Sequence, residues 1–426
     1  MRALDSALEP AGSDRIPASD RSVRPAFWVG AAAVIALVLK LVIAFNTFGT
    51  NDVFRFYEFA IALDRGGLEQ IYRQQADFNH PPLVAYYLTA IYRLGRLPFA
   101  EAAGISFPFL LRLPGIIADF VVVGVFLRLR KHEPELRLPL WALLVLALSP
   151  VSLMVSGFHG NTDPIMVLFL VLAAFAAVRN RPVWCGILLA LSIQIKIVPV
   201  LLVPVFFFFW NRRRQLRSFI LPVVLTTVIL WSQPLLYFPL AFARNVFGYG
   251  SFWGIWGITY WLRQTGWSEF SQADFLDLSR TQNIIGMLLK LFIVGAIVIL
   301  AWRRRRIDSS AGFFASLAFV WLIFFVFSPG IGAQYLVWVA PFILLLSPRF
   351  YLFSTAGSTL FLFFFYNTIC EGLPWFYGVS NGQRDAEWLP WAVWPWMILS
   401  AGLILLGRKM TSEEASLTPR VVESGQ

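Results

Sequence analysis

A single aspartate stands just beyond the first long apolar run, in Phe48-Gly49-Thr50-Asn51-Asp52-Val53-Phe54-Arg55-Phe56-Tyr57-Glu58. A carboxylate at the rim of a helical bundle can take a proton from a polar acceptor while the bundle beside it holds a lipid-borne molecule. Asp52 is therefore the first candidate catalytic residue. Its competing use is structural, because Asn or Asp before an amphipathic stretch commonly caps a helix. The second chemically pointed residue is Lys196, flanked by Ile195 and Ile197. An ammonium there costs about 2.5–3.5 kcal/mol on insertion scales, so it either holds an anion or snorkels to the interface.

The elements that position such groups follow from composition. With 58% hydrophobic residues, 14% charged residues and 41 Phe in 426, and a mean hydropathy of +0.68, an ordinary soluble protein is excluded. The apolar runs are long enough for a hydrocarbon core of ~30 Å, where only helices satisfy their own backbone, so the fold class is all-α: a polytopic membrane helical bundle. The formal charge of +11 does not point to nucleic acid, because the basic residues sit in short clusters beside the apolar runs. Cys185 and Cys370 fit no metal or redox spacing, and no disulfide is expected.

Twelve apolar segments are read as spans: 26–45, 107–127, 138–156, 164–178, 183–195, 197–210, 219–237, 284–302, 313–327, 335–346, 351–368 and 389–406. If all cross, the clusters at 128–131, 179–181, 212–214, 303–306 and 408–409 share one side with the basic N-terminus, and the positive-inside rule holds throughout. Segment 81–97 carries Arg93 and Arg96 and is read as an amphipathic or re-entrant helix in the first outer loop. The pair 183–195 and 197–210 is short, and broken backbone at Lys196 is tolerable only where it lines a cavity or is buried in protein. The domain reading is a disordered cytoplasmic tail over 1–25, one transmembrane domain over 26–407 and a cytoplasmic tail over 408–426.

On this topology the outer face collects the first loop with Asp52, Glu58, Asp77 and His80, the turn Gly157 to Asp163, Lys196, the loop 238–283 with Arg244, the turn 328–334 and the loop 370–388. Polar groups distant in sequence thus converge on one side. No Gly-rich phosphate loop and no soluble nucleotide-sugar domain is present.

Six short motifs occur in a fixed order over roughly residues 27–345: Thr50-Asn51-Asp52; His80-Pro81-Pro82-Leu83; Ile117-Ala118-Asp119; Gly160-Asn161-Thr162-Asp163; Ile195-Lys196-Ile197-Val198-Pro199; and Gln334-Tyr335-Leu336-Val337-Trp338. Their order resembles the GT-C superfamily of membrane glycosyltransferases that draw sugars from polyprenyl or dolichyl phosphate. The resemblance is closest to the catalytic subunit of GPI mannosyltransferase I and to the dolichyl-phosphate-glucose glucosyltransferases. It implies an inverting transfer of a hexose, mannose favoured, with His80, His159, Asn161, Asp163, Gln334 and Tyr335 as substrate-binding candidates. The GPI enzyme pairs two acids in its first loop, whereas Asn51 precedes a lone Asp52 here. The resemblance therefore implies one working carboxylate, with a divalent metal compatible but not required and no other cofactor.

The chemistry agrees with that economy. A sugar on a lipid phosphate already carries a good leaving group, so the two-carboxylate arrangement of glycosidases is unnecessary. Asp52 would take the acceptor proton, and a cation would stabilise charge gathering on the departing phosphate. Lys196 is the first candidate for that cation and Arg244 the second.

Plainer uses compete at several positions. His80 before two prolines can shape a turn. His159, Asn161 and Asp163 can cap the helix that begins near Pro164. Arg112 and Asp119, seven apart on one helix face, read as a structural intramembrane pair. The stretch Phe247 to Trp261 is either an interfacial aromatic belt or a sugar-stacking surface. The expected partners are a polyprenyl-phosphate-linked sugar, a lipid- or glycan-type acceptor and membrane lipids, with no nucleic acid. A bacterial inner membrane is favoured over the endoplasmic reticulum. A lipid-linked-sugar flippase, a polysaccharide polymerase or ligase, and a secondary transporter are the alternative classes; the last would show inverted repeats and midplane charges.

Overall fold

The structure, a computed structural model, describes residues 18–248, 252–271, 277–370 and 385–417. Residues 1–17 of the tail expected over 1–25 and 418–426 of the tail expected over 408–426 lie outside the described residues, as do 249–251 and 272–276 of the loop 238–283 and most of the loop 370–388; residues 18–25 and 408–417 are helical. Regular structure among the described residues is entirely helical. The order begins α1 (Ala18–Asn46), α2 (Asn51–Gln74), α3 (Pro82–Gly95), α4 (Pro98–Ala102), α5 (Phe107–His132), α6 (Leu140–Ala147) and α7 (Pro150–Ser152). A π-helical turn, Leu153–His159, leads to α8 (Asp163–Val178), α9 (Pro182–Ile195), α10 (Val203–Arg212), α11 (Leu216–Tyr237), α12 (Pro239–Phe247), α13 (Gly257–Gln264) and α14 (Ser268–Ser271). The chain closes with α15 (Arg280–Arg303), α16 (Ser310–Phe327), α17 (Leu336–Leu346), α18 (Pro348–Ile369), α19 (Asp385–Trp388) and α20 (Val393–Leu417).

Among the described residues eight stretches are long and apolar enough to cross a bilayer, as a multi-pass membrane protein requires: Ala26–Asn46, Phe107–His132, Leu140–His159, Leu216–Tyr237, Arg280–Arg303, Ser310–Phe327, Pro348–Ile369 and Leu389–Lys409. The other four of the twelve expected segments form shorter apolar helices: Asp163–Val178, Pro182–Ile195, Val198–Arg212 and Ala333–Leu346. At 1.5 Å per residue these cover about 20–24 Å, short of a ~30 Å core. All four stop at one place. Asp163 opens α8, Lys196 follows α9, Val198 begins the 3₁₀ turn leading into α10, and Gln334 and Tyr335 lie in the 3₁₀ turn before α17. Polar side chains at these ends line a shared recess.

The chain reverses at Lys196 through extended backbone (φ −143°, ψ 142°), then enters the 3₁₀ turn and α10. The 183–210 region is therefore two helices broken at the lysine, and the break faces a cavity, the setting that makes irregular backbone tolerable at that depth. Three of the basic clusters have neighbours in common regions of the bundle. Arg213 pairs with Asp308 at 3.1 Å, Ser310 donates to Glu133 at 2.7 Å, and Arg137, Arg304 and Lys409 line one surface pocket.

The segment 81–97 folds as expected into a short helix, α3, with Pro81 at its N-cap and Arg93 paired to Asp64 of α2 at 2.8 Å. Ahead of it, α2 is amphipathic. Val53, Phe56, Phe59, Ala60 and Leu63 are buried, and the face carrying Arg55, Glu58 and Arg65 is open. Its alternation of apolar and charged residues kept it from standing out in sequence as an element of its own.

The expected Arg112–Asp119 pair does not form. Asp119 Oδ2 binds Lys40 Nζ of α1 at 2.7 Å and accepts from Ser152 and Ser156. Arg112 instead spends its guanidinium on the carbonyls of Ala44, Thr47, Pro108, Gly157 and Phe158. A side chain seven residues along a helix shares a face, but α1 and the π-turn each supply a nearer partner. Arg112 thus ties the C-terminal end of α1 to the turn that carries His159.

Candidate active site

Asp52 owes its place to two glycines. Gly49 (φ 101°) ends the turn after α1, and Gly160 (φ 85°) follows the π-turn. Both lie against Val53, and a Cβ at Gly160 would stand 2.2 Å from its Cγ2. Only glycine fits a positive φ with that approach. Between them, Thr50 locks the strands of chain together: its backbone N–H and its hydroxyl both donate to the His159 carbonyl, at 3.1 and 2.8 Å.

Asp52 is the second residue of α2, where a carboxylate is favoured by the helix dipole, yet its side chain caps nothing. It turns inward instead. His159 Nε2 lies 3.0 Å from Oδ2, Asn161 Nδ2 donates to Oδ2 at 2.5 Å, and Gln334 Nε2 donates to it at 3.3 Å. The side chain is 37% exposed, open to the recess. Burial raises the carboxyl's pKa, but the facing His159 ring, the Lys196 ammonium and the Asn161 amide outweigh it and hold the group below its ordinary value of 3.8. Asp52 is a carboxylate at neutral pH.

Lys196 does not snorkel; it is 9% exposed. Its ammonium lies 2.9 Å from Asp163 Oδ1 and 3.1 Å from Oδ2, and rests on the rings of Tyr335 (4.4 Å) and Trp338 (5.2 Å). Trp338 Nε1 donates to Asp163 Oδ1 at 2.5 Å. Asp163 is fully buried and does not cap α8 with its side chain.

The recess, about 330 Å³, is lined by Asp52, His80, Asn161, Lys196, Gln334 and Tyr335 among others. Distant segments of the chain thus meet where the sequence expects them to. His80 is buried at the wall, where its Nδ1–H donates to the Ile195 carbonyl at 3.3 Å. Burial, then the nearby Lys196, push its pKa down to about 4, so the ring is neutral. His159 and Asp163 are not lining residues; they stand behind Asp52 and Lys196 and hold them. Arg244 is exposed on α12 and does not line the recess. Its neighbours Asn245 and Val246 face inward: Asn245 donates to the Gln75 carbonyl and Val246 joins the wall.

Sequence reasoning missed several members. Arg55 and Asn79 line the recess beside Asp77, which the sequence had placed only on the outer face; Arg55 Nε lies 3.2 Å from Asp77 and its Nη1 2.8 Å from Glu58. The helical spacing of Asp52 and Arg55 was a usable signal. Tyr366, whose hydroxyl sits 3.0 Å from His159 Nδ1, gave none: it is one more aromatic in an apolar span. Among the described residues no group of three or more His, Cys, Asp or Glu side chains is arranged to hold a metal.

No curated protein matches the chain. A family profile does: that of glycosyltransferase family 87 matches residues 78–329. The match takes in more than half of the chain, including His80, the π-turn, Asn161, Asp163 and Lys196, so this multi-pass protein belongs to glycosyltransferase family 87 and is a glycosyltransferase.

Proposed function

We propose that the chain is an inverting, GT-C-type hexosyltransferase, with mannose the favoured sugar, drawing on a polyprenyl-phosphate donor at the non-cytoplasmic face of a bacterial inner membrane. Residues 26–407 form the single catalytic domain in this reading, between two cytoplasmic tails. The observation that carries it is the shared recess: the Asp52 carboxylate and the Lys196 ammonium line one cavity among amide side chains suited to hydroxyl groups. A carboxylate and a cation separated by packed helices would not have supported it.

The step balances with these two groups. Asp52 accepts the proton of an acceptor hydroxyl as that oxygen bonds to the anomeric carbon; the bond from this carbon to the phosphate oxygen breaks on the opposite face, and its electron pair leaves with the lipid phosphate. Lys196 stabilises the charge arriving on that oxygen. A depressed carboxyl pKa makes Asp52 a weak base, and a weak base is sufficient because the acceptor oxygen becomes strongly acidic as the new bond forms. His80, Asn161, Gln334 and Tyr335 would bind the sugar and acceptor. His159 and Asp163 act through Asp52 and Lys196.

The test is transfer by purified protein in nanodiscs, with polyprenyl-phosphate [¹⁴C]mannose as donor and a total membrane lipid extract as acceptor, without any ion gradient. Labelled product from the wild type and a loss of at least about 10³-fold in Asp52→Asn are expected. A flippase or transporter would keep its flux in that variant and form no glycosidic product, which would refute the reading.

A further inference from the structure

Every hydrogen bond that Asp52 makes among the described residues falls on one oxygen. His159, Asn161 and Gln334 all meet Oδ2, and none meets Oδ1. Behind this oxygen the contacts continue: His159 Nδ1 lies 3.0 Å from the Tyr366 hydroxyl and 3.4 Å from Thr50 Oγ1. Thr50 already donates its hydroxyl proton to the His159 carbonyl, so it offers Nδ1 no proton. An ionised carboxylate only accepts, so the nitrogen facing Asp52 must carry hydrogen. The phenol facing Nδ1 can supply a proton to it.

We propose that Tyr366 and His159 are positioning residues that split the work of the two Asp52 oxygens: Oδ2 is saturated by donors, and Oδ1 is the oxygen that accepts the proton in transfer. Tyr366 donates to Nδ1, which fixes the tautomer with its hydrogen on Nε2, and that N–H holds Oδ2. Neither residue touches substrate. This rests on the reading of Asp52 as the base. During turnover the proton arrives on Oδ1 and leaves again to solvent through the recess, while the Nε2–H stays in place.

The ring is enclosed by charged and titratable groups from several elements. Asp52 comes from α2 and Tyr366 from α18; Arg112 of α5 binds the carbonyls of Gly157 and Phe158, Lys40 of α1 packs on Gly157, and Asp163 and Lys196 lie beyond Asn161. In Tyr366→Phe the donor to Nδ1 is lost and the ring can place its hydrogen on Nδ1 instead. A bare Nε2 then faces Oδ2, and the carboxylate is no longer held in its working position.

The experiment measures kcat and donor KM in nanodiscs, with the donor and acceptor named above. In Tyr366→Phe kcat falls at least about tenfold with KM within about twofold. His159→Gln, whose amide also donates to Oδ2, keeps kcat within about threefold of wild type. His159→Leu loses kcat about 10²-fold with KM within about twofold. The chain holds only three histidines, so ¹⁵N-histidine spectra resolve the His159 tautomer independently of activity. Nε2 protonated and Nδ1 bare is expected in the wild type. A protonated Nδ1 there, or a wild-type kcat in Tyr366→Phe, overturns the proposal while Asp52→Asn stays inactive. Activity in Asp52→Asn instead overturns the assignment of the base beneath it.

Discussion

Lys196 and Asp163 lie 2.9 Å apart at the broken ends of two short helices, with the carboxylate fully buried and the ammonium bedded on Tyr335 and Trp338. A pair so placed tolerates loss of one member badly, because the survivor is a buried unpaired charge; breaking such pairs costs about 3–5 kcal/mol. Asp163→Asn is expected to lower the melting temperature of the detergent-solubilised protein more than the double variant Asp163→Asn/Lys196→Met does. Equal or greater loss in the double variant would show that the ammonium is stabilised without its carboxylate. Transfer should be lost in both, since the cation facing the recess is misplaced in one and absent in the other.

Gly160 tests the positioning of Asp52 from a different direction. Its φ of 85° and the 2.2 Å approach of a Cβ to Val53 make Gly160→Ala strained twice over. The variant is expected to lose at least about tenfold in transfer and to melt earlier. Adding Val53→Ala relieves the steric part but not the dihedral part, so the double variant should recover some activity and stay below wild type. Full recovery would place the whole cost in the contact with Val53.

Much of this was legible in sequence because the bilayer imposes simple rules. Apolar length located the helices, and the Lys and Arg clusters sorted their ends. The Asp52, Asn161, Lys196 and Gln334 motifs announced themselves as polar islands beside such helices, and the structure sets all four on one recess. Pairing was not legible. Asp119 shares a helix face with Arg112, yet it binds Lys40, because pairing depends on which neighbouring helix lies closer and not on register within one helix. Tyr366 was invisible for the same reason: a hydroxyl on an aromatic ring gives no hydropathy signal, and only the approach of α18 to the π-turn gives it a partner. Arg244 illustrates the opposite error. A cation on an outer helix looked available, but α12 turns Asn245 and Val246 inward and leaves Arg244 in the open.

The Lys40–Asp119 pair should separate stability from chemistry. It sits beside Ser152 and Ser156, away from the lining of the recess, so its work is to hold α1 and α5 against the π-turn. Asp119→Asn is expected to reduce thermal stability clearly while leaving donor KM within about twofold. A selective loss of kcat with unchanged melting would instead tie this pair to the reaction.

His80 gives the stability of the protein a pH dependence with a definite sign. Its folded pKa is about 4 against an ordinary 6.5, so between those values the unfolded chain binds more protons than the folded one. Stability therefore rises with pH through this window and is lost as pH falls from about 6.5 toward 4. The full difference is on the order of 3 kcal/mol, from about 1.4 kcal/mol per unit. Asp52 adds a loss of the same sign only lower, because its depressed pKa keeps it ionised down to the acid end of the range. Melting curves at pH 7, 6, 5 and 4.5 should fall progressively for the wild type and less steeply for His80→Gln, whose amide can replace Nδ1 as the donor to Ile195 without titrating. A wild-type curve flat over this interval would mean that the imidazole is protonated as easily in its wall as in water, and that the ring is not sealed against Ile195 as the geometry requires.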